Sequence, residues 1–378
     1  MSRPYQVCTF CVMDTSNPFI EFDALGRCDC CRKALIRRPH EWWIGAEGQA
    51  RMDAMVARLR EEGKGQTYDA MVGLSGGVDS AYLAHLMRDT YGLRLLAVHV
   101  DGGWNSAPAV RNIEVLVRRL DIDLFTHVVE WTEMRDLQLA FLKASVLNQD
   151  IPQDHAFFAT LYRTARRFQM RYFLSGVNYA TESIIPPNWG FPAMDGKHVR
   201  GVHQRFGQRK LQSYPIMSLP EFLWIVRLRG QLSVIRPLNF LNYDKRQAKQ
   251  ELMRLYGWQD YGEKHNESRF TKFYQDIYLP RKLNFDKRRL HLSSLIVSSQ
   301  MTREEALKEL EQPIIDPAQT RRDTKFVAKK LGIDVPALER LIDQPLIDHQ
   351  VYPNQLALHS FLTGMRGWFR NWRKRLLG

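Results

Sequence analysis

The sequence contains no cysteine after residue 31, although the chain has 378 residues. Its five cysteines all lie near the N-terminus, so the remainder has no thiol that could act as a nucleophile, carry a persulfide or ligate an iron–sulfur cluster. A disulfide framework is not expected either, because such frameworks are typical of small secreted domains. Cysteine-dependent chemistry is therefore excluded from most of the chain.

Long apolar segments are also missing. No stretch approaches the length of about 18 apolar residues that a membrane-spanning helix needs. The N-terminal segment MSRPYQVCTF lacks the apolar run of a signal peptide. With 44% hydrophobic and 25% charged residues, the composition is ordinary for a globular enzyme, and together these features predict a cytoplasmic protein without a transmembrane segment.

Familiar nucleotide-binding motifs are absent, and a different glycine-rich segment is present. The chain has neither G-x4-G-K-[ST] nor GxGxxG, but SGGVDS occupies residues 75–80, between an apolar run and a helical pattern. Its glycines let the backbone approach an anion, and the N-terminus of the following helix faces the same anion. Ser75 and Ser80 can donate hydroxyl hydrogen bonds, whereas Asp79 is suited to hold Mg²⁺ or to cap the helix. The segment predicts a phosphate-binding loop.

Apolar strand-like runs alternate with helical patterns from residue 68 onward. The predicted strands are 68–74, 93–100, 123–130, 171–176 and 232–238. This alternation predicts an α/β fold with a doubly wound parallel sheet, because right-handed crossovers place helices on both faces.

Changes in composition divide the chain into four segments. These are a loop-rich cysteine module at 1–40, a helical linker at 41–65, the α/β domain at 66–245, and a helical, basic C-terminal region at 246–378. An insertion at 183–231, rich in Pro, Trp, Phe, Arg and Gln, is expected near the mouth of the site. Capping boxes are predicted at Thr302 with Glu305 and at Thr320 with Asp323.

The cysteine spacing indicates a metal site. Cys8-x2-Cys11 is followed by Cys28-x2-Cys31, a pattern typical of a zinc ion held by four thiolates. Cys30 offers a fifth thiol, which leaves open whether it is a spare buried residue or part of an iron–sulfur cluster. With four thiolates the coordination is complete, so the site is expected to support the fold and take no part in catalysis.

The chain is strongly basic. It has 54 Lys and Arg against 41 Asp and Glu, a formal net charge of +13. Such an excess favours polyanionic ligands such as nucleotides, nucleotide sugars or nucleic acid, although a solvated basic surface is the alternative. Lys282, Lys287, Arg288 and Arg289 form a cluster that could stabilise a departing pyrophosphate or could lie on a solvated helix face.

SGGVDS after an apolar strand resembles the PP-loop of the N-type ATP pyrophosphatases, the superfamily of GMP synthetase and asparagine synthetase. The resemblance implies an adenine nucleotide alpha-hydrolase-like fold that binds ATP and Mg²⁺, transfers AMP to a substrate and releases pyrophosphate. It also matches His99-Val100-Asp101 and the loop around Gly176 and Asn178. The implied ATP-binding residues are Leu74, Ser75, Gly76, Gly77, Val78, Asp79, Ser80, His99, Val100, Asp101, Gly176, Asn178 and Glu182.

A closer resemblance is carried by CTFCVMDTSNPFIEFDALGRC and by residues 270–307, which are similar to the N-acetyl sugar amidotransferases of surface-polysaccharide and nonulosonic acid biosynthesis. It implies conversion of an acetamido group on a nucleotide-linked diacetamido sugar into an acetamidino group, as in lipopolysaccharide O-antigen synthesis. Asp79, Lys282, Lys287 and Arg288 are the implied catalytic residues. Because no cysteine is left for a glutaminase, ammonia is expected from a separate glutaminase subunit.

Two other functions fit parts of the pattern. A tRNA-modifying enzyme of thiolation or lysidine type would share the CxxC pairs, the loop and the basic charge. Thiolation usually needs cysteines within or after the catalytic domain, which this chain lacks, so no nucleic-acid partner is expected. A non-catalytic zinc-ribbon module would not need the loop at 75–80.

Overall fold

A computed structural model describes residues 4–184, 191–223, 232–262 and 266–358. Its centre is a sheet of five parallel strands in the order β3-β2-β1-β4-β5. The strands are β1 (Ala70–Gly73), β2 (Leu95–Asp101), β3 (Asp123–Val128), β4 (Tyr172–Leu174) and β5 (Ser233–Ile235). Four of the five strands lie inside a predicted strand segment, and β2 extends one residue beyond its segment. This agreement confirms the predicted parallel α/β fold.

The residues of β1 alternate between two apolar cores. Ala70 and Val72 pack into a core formed with the helices on one face of the sheet. Met71 packs into another core, with Leu161 and Ala165 from the opposite face. Since successive side chains of a strand point to opposite faces, this division places helices on both sides of the sheet, as the doubly wound prediction required.

Seven helices lie in the part of the chain that ends just after β4. They are α1 (Asp29–Glu41), α2 (Gly45–Glu62), α3 (Val78–His85), α4 (Ala107–Leu120), α5 (Trp131–Ala144), α6 (Ile151–Arg167) and α7 (Tyr179–Glu182). A π-helical stretch, Leu86–Thr90, extends α3. The predicted helical linker at 41–65 corresponds to α2.

The later part of the described chain is mostly helical. Its helices are α8 (Gly196–Phe206), α9 (Leu219–Leu223), α10 (Lys245–Tyr256), α11 (Arg269–Phe273), α12 (Leu279–Leu283), α13 (Arg288–Val297), α14 (Arg303–Leu310), α15 (Pro317–Leu331) and α16 (Val335–Asp343). Short 3-10 helices lie at Pro237–Phe240 and His349–Val351, and a π-helical stretch, Tyr274–Tyr278, joins α11 to α12. An apolar stripe in residues 356–377 predicts an amphipathic helix, of which the part beyond residue 358 lies outside the described residues.

One predicted capping box is confirmed and the other is wrong. Thr302 and Glu305 cap α14 reciprocally. Thr320 does not begin a helix, because α15 begins three residues earlier, at Pro317, and the Asp316 side chain caps it by accepting from the backbone N–H of Gln319. Proline at the first helical position favours this earlier start, since its fixed φ suits a helix and its missing N–H costs no hydrogen bond there.

The cysteine module packs against the C-terminal helices. The guanidinium of Arg303 donates to the carbonyl oxygens of Cys8 and Cys11. The backbone N–H of Val12 donates to Ser293 Oγ, and Arg289 forms an ion pair with the buried Asp14. Arg289, which belongs to the basic cluster seen in the sequence, therefore has a structural partner in the module.

The described part of the insertion packs on α5. The buried carboxylates of Glu133 and Asp136 accept hydrogen bonds from backbone N–H groups between residues 208 and 214. These bonds compensate the cost of burying two charged groups. In the ranges 183–184 and 191–223, the insertion lines neither of the two cavities described below, although the sequence suggested a place near the mouth of the site.

Membrane-spanning character is not found among the helices of the described ranges: none combines sufficient length with a sufficiently apolar sequence.

Candidate active site

The site lies where the strand order reverses. From β1 the chain proceeds outward through β2 and β3, then returns to the other side of β1 with β4. In open parallel sheets the crevice at the carboxyl ends of the two strands flanking such a reversal is the usual ligand site. The loop at 75–80 follows β1 at this point, and its last three residues form the start of α3.

Backbone conformation and serine hydroxyl groups shape the loop. Gly76 has φ +84°, and a Cβ there would approach the backbone of Ala109 to 2.8 Å, so glycine is required. Ser75 Oγ and Ser80 Oγ lie 3.2 Å apart, and Ser80 Oγ also donates to the Gly77 carbonyl. These contacts hold the loop open toward the N-terminus of α3, whose backbone N–H groups favour an anion.

The segment after β4 packs against the same helix N-terminus. A Cβ at Gly176 would come within 3.0 Å of the Ser80 nitrogen, so this residue permits a close approach between the two segments. Asn178 caps α7 by accepting a hydrogen bond from the Thr181 N–H. Glu182 is the last residue of α7. The predicted residues of this loop therefore adjoin the loop at 75–80, with Asn178 engaged in the backbone structure.

His99 joins the ends of β1 and β2. Its Nδ1–H donates to the Leu74 carbonyl at 2.8 Å, and its Nε2 accepts from the Asn105 amide at 3.0 Å. These partners assign the neutral tautomer with the proton on Nδ1. Nearby, the Asp101 carboxylate accepts from the Gly103 N–H, and Asp101 lines neither cavity.

Asp79 is anchored by a buried tyrosine. The Tyr243 hydroxyl donates to Asp79 Oδ1 at 2.6 Å. Burial, together with the adjacent Asp79 carboxylate, raises the pKa of Tyr243 well above its usual value, so the hydroxyl remains a donor at any pH near neutral. Gly77 is the N-cap of α3, and Asp79 lies in its first turn.

Replacing Tyr243 with phenylalanine is expected to weaken catalysis with ATP by about tenfold or more, because a hydrogen bond to a charged group is worth about 1.5–3 kcal/mol. The measurement is kcat/KM for ATP in pyrophosphate exchange. Tyr82→Phe is the matched control, since its ring packs 5.7 Å from Tyr243 but its hydroxyl interacts with Glu251. Equal losses in both variants would contradict a specific role for the Tyr243–Asp79 bond.

A cavity of about 320 Å³ opens beside the loop. Leu74, Ser75, His99 and Val100, four of the residues that the resemblance implies for ATP binding, line it at the strand ends. The opposite wall comes from α6 and from the segment that begins at Glu267. Its polar lining residues are Asp150, Gln153, Asp154, Glu267, Ser268, Thr271, Gln275 and Lys287.

Asp154, in the first turn of α6, and Asp150, the residue just before α6, both line this cavity. Asp150 accepts hydrogen bonds from Thr271 Oγ1 and Gln153 Nε2. Burial raises the pKa of both carboxyl groups, to about 6 for Asp150 and about 7 for Asp154, while the Lys287 ammonium lowers both. The Asp150 charge raises the pKa of Asp154 further. The pair can therefore exchange a proton near neutral pH.

A second cavity, of about 500 Å³, adjoins the first, and Gln275 and Lys287 line both. One part of its wall is basic, and another is apolar. The basic side chains are Lys245, Arg246, Lys249, Lys287 and Arg288. The apolar ones are Leu292, Leu295, Met301 and Ile314, and Val78 of the loop also contributes.

The structure separates the members of the predicted basic cluster. Lys287 reaches both cavities and Arg288 lines the second, where it also pairs with Asp286. Lys282 lines neither cavity, and its ammonium donates to Ser145 Oγ and the Ile342 carbonyl at the ends of α5 and α16. This placement does not support the predicted catalytic role of Lys282.

The four predicted cysteine ligands converge. Their sulfur atoms all lie within 4.8 Å of one another, with Cys8 Sγ 3.8 Å from Cys31 Sγ and Cys11 Sγ 3.5 Å from Cys28 Sγ. A tetrahedral zinc ion with Zn–S bonds of about 2.3 Å requires S–S separations of about 3.8 Å, so the cluster is compatible with zinc. Cys30 is not part of this convergent set, and its Sγ lies 3.7 Å from an Asp29 carboxylate oxygen.

Several residues at the site carried no sequence signal. Asp150 and Asp154 are four residues apart near a helix start, and this spacing places them on one face of the helix. Acidic residues are common at helix N-termini, however, because they interact favourably with the helix dipole, so the pair by itself did not indicate a site. Tyr243 and Glu267 come from distant segments. No local sequence pattern connects these two residues to the loop, and only the tertiary fold brings them close to it.

Strand order and loop position define a parallel α/β protein whose SGGVDS loop follows β1 at the point where the strand order reverses. Residues 267–365 match the family described as LPS biosynthesis protein WbpG-like, C-terminal domain, which covers about a quarter of the chain. The C-terminal part of the chain is thus similar to the WbpG-like C-terminal domain. None of the curated proteins matches the sequence.

Among solved structures, the chain is similar to an NH3-dependent NAD synthetase from Campylobacter jejuni, with 15% identity, coverage of 76% of this chain and 97% of that one, and a TM-score of 0.29. It is also similar to an NMN synthetase from Francisella tularensis, with 16% identity, coverage of 56% and 93%, and a TM-score of 0.28.

Proposed function

We propose that the protein is an ATP-dependent amidotransferase that converts the acetamido group of a nucleotide-linked diacetamido sugar into an acetamidino group, in the synthesis of a lipopolysaccharide O-antigen or related surface polysaccharide. One observation carries the proposal: the WbpG-like segment forms a wall of the cavity beside the SGGVDS loop. Five of its residues line that cavity, namely Glu267, Ser268, Thr271, Gln275 and Lys287.

Activation of the amide would occur at the loop. The amide oxygen attacks the α-phosphorus of ATP, the bond to the pyrophosphate oxygen breaks, and an O-adenylated imidate forms as the amide nitrogen releases its proton to solvent. Backbone N–H groups of residues 75–80 and the Lys287 ammonium would stabilise the departing pyrophosphate. Asp79, a hard oxygen ligand next to the loop, would hold Mg²⁺, which would supply further charge neutralisation.

Ammonia would then attack the imidate carbon through its lone pair. The new C–N bond forms, the C–O bond to AMP breaks, and the added nitrogen loses a proton. Asp154 and Asp150 are suited to accept that proton because their raised pKa values lie near neutral pH. They would also attract an ammonium ion before the reaction.

We infer that ammonia comes from a separate glutaminase subunit. A cysteine-dependent glutaminase needs a free nucleophilic thiol, and four of the five cysteines converge on the metal cluster. The remaining thiol, Cys30, is buried beside Asp29. The contact with the Cys28 side chain, followed by burial, raises the pKa of this thiol, which opposes formation of a reactive thiolate.

Mass spectrometry of a reaction with ATP, ammonia and a panel of diacetamido sugars, UDP-linked, CMP-linked or free, tests the proposal. We expect one sugar to exchange an oxygen for NH, together with formation of AMP and pyrophosphate. Glutamine in place of ammonia should give no product with this chain alone. Absence of AMP formation with every sugar would overturn the proposal, and co-purified tRNA that becomes modified would favour the tRNA-modifying alternative.

A further inference from the structure

We propose that Gln275 orients the acetamido group of the acceptor sugar by accepting a hydrogen bond from its N–H, which leaves the carbonyl oxygen free to attack ATP. This inference rests on the proposed function and adds a residue that recognises the reacting amide. It concerns the first cavity, to which the strand ends and the WbpG-like segment both contribute.

Gln275 is a buried amide without a partner. Only 7% of the residue is exposed, yet its side chain forms no hydrogen bond with any of the described residues. Neither its amide nitrogen nor its amide oxygen is fully buried, so the small exposed part of the residue includes the amide. Since Gln275 lines both cavities, this amide is open to a ligand there. Buried polar groups are normally hydrogen-bonded, and the missing partner therefore points to a bound molecule.

The other neutral hydroxyl and amide side chains of the first cavity already have hydrogen-bond partners. They are Ser75, Asn105, Gln153, Ser268 and Thr271. The charged side chains of the cavity suit an uncharged amide poorly, because such a group would replace little of the hydration that an ion loses. Gln275 is thus the lining residue whose chemistry matches a neutral acetamido group.

Packing fixes the backbone around Gln275. The residue lies in the π-helical stretch Tyr274–Tyr278, and π-helical turns are frequent at functional sites. Tyr274, Ile277 and Tyr278 are buried in one apolar core on both sides of Gln275 along the chain. The amide therefore needs little ordering when a substrate binds, which favours its use in recognition.

The direction of the hydrogen bond follows from the reaction. In a trans amide the N–H and the C=O point in opposite directions. Gln275 belongs to the wall formed by the WbpG-like segment, whereas Ser75 belongs to the wall formed by the strand ends. An acetamido N–H directed at Gln275 Oε1 therefore turns the carbonyl oxygen toward the loop. The same bond stabilises the positive charge that develops on nitrogen as the oxygen bonds to phosphorus, before the proton leaves.

Gln275→Met tests this role, because methionine is similar in size and has no amide. The substrate is the diacetamido sugar that the wild-type protein converts, out of the UDP-linked, CMP-linked and free panel. We expect kcat/KM for this sugar to fall at least about tenfold, since its N–H is left without an acceptor. KM for the sugar should rise and kcat should fall, whereas KM for ATP should stay within about twofold of wild type. Because no hydrogen bond within the protein is lost, the melting temperature should stay at or above the wild-type value.

Asn112→Leu is the matched control. Asn112 is also a buried amide, but it accepts from the Gln259 N–H, donates to the Gln259 carbonyl and lines neither cavity. This variant should lower the melting temperature, because two hydrogen bonds are lost, and keep kcat/KM for the sugar within about threefold of wild type. Gln275→Leu replaces Gln275→Met if the latter does not fold.

The possible failures are distinguishable. If the wild-type protein forms no AMP with any sugar of the panel, the proposed function fails, and the role of Gln275 fails with it. If the wild-type protein converts a sugar and Gln275→Met does so with unchanged kcat/KM, or if KM for ATP rises as much as KM for the sugar, only the role of Gln275 is wrong. A drop in melting temperature equal to that of Asn112→Leu would also contradict it, because the amide would then have a structural partner.

Discussion

Asp154→Asn is expected to reduce ammonia-dependent amidation by about 100-fold or more while ATP–pyrophosphate exchange stays within about threefold of wild type. A positioned proton acceptor contributes about 10²–10⁴ to a rate, and asparagine cannot accept the proton. Exchange reports adenylation alone, which does not require ammonia. The measurement is a comparison of the two rates for the same protein, with the acetamido sugar present in both assays.

Glu130→Gln is a suitable control, because that carboxylate caps the start of α5 and lines neither cavity. It should leave both rates unchanged. If Asp154→Asn lost exchange and amidation equally, Asp154 would be needed for binding or adenylation, and its role as proton acceptor in the second step would be wrong.

The pH dependence of the amidation rate should also indicate that a carboxylate accepts the proton. The carboxylate form accepts the proton, so the amidation rate at a fixed concentration of free NH3 should rise with pH through about 6 to 7, where the coupled Asp150 and Asp154 pair titrates. This rise should disappear or shift in Asp154→Asn.

The same titration affects stability in the opposite direction. Burial raises the folded-state pKa of Asp154 to about 7 from its ordinary value of 3.8, so the folded state binds more protons than the unfolded state between these values. The free energy of unfolding contributed by this group therefore falls as pH rises across that window. The wild-type melting temperature should decline more steeply between pH 4 and 7 than that of Asp154→Asn, as calorimetry can measure.

Cys11→Ser is expected to release the metal and to lower the melting temperature sharply or prevent folding. Apparent binding free energies of about 10–16 kcal/mol for structural zinc are also folding free energy, because the unfolded chain has no preformed site. Cys11 is fully buried, and the module shares an apolar core with the sheet helices, so its loss should extend beyond the first 40 residues. Elemental analysis and calorimetry measure the two effects.

Cys30→Ser is the matched control, because Cys30 lies beside the four sulfur atoms without joining them. It should keep one zinc per chain and nearly the wild-type melting temperature. Loss of metal in this variant, or iron with visible absorbance in the wild-type protein, would contradict the assignment of a four-cysteine zinc site.

Local patterns were sufficient to predict the strands, the loop and the cysteine cluster. Short apolar runs bounded by turn residues encode buried parallel strands almost directly. SGGVDS encodes its own backbone conformation, since Gly76 at φ +84° tolerates no side chain. The CxxC pairs need only fold back on each other, which two short turns accomplish.

The sequence by itself thus determined the class of fold, the position of the glycine-rich loop and the convergence of four cysteines, because each depends on residues close together in the chain. The tertiary structure decided which basic residues reach the site. Asn284 adopts a left-handed conformation, with φ +51°, and ends α12, so Lys282 lies in α12 whereas Lys287 immediately precedes α13. Lys282 therefore contacts α16, whereas Lys287 lies near the carboxylates at the start of α6. Which residue each lysine meets depends on packing between elements that are distant in the sequence.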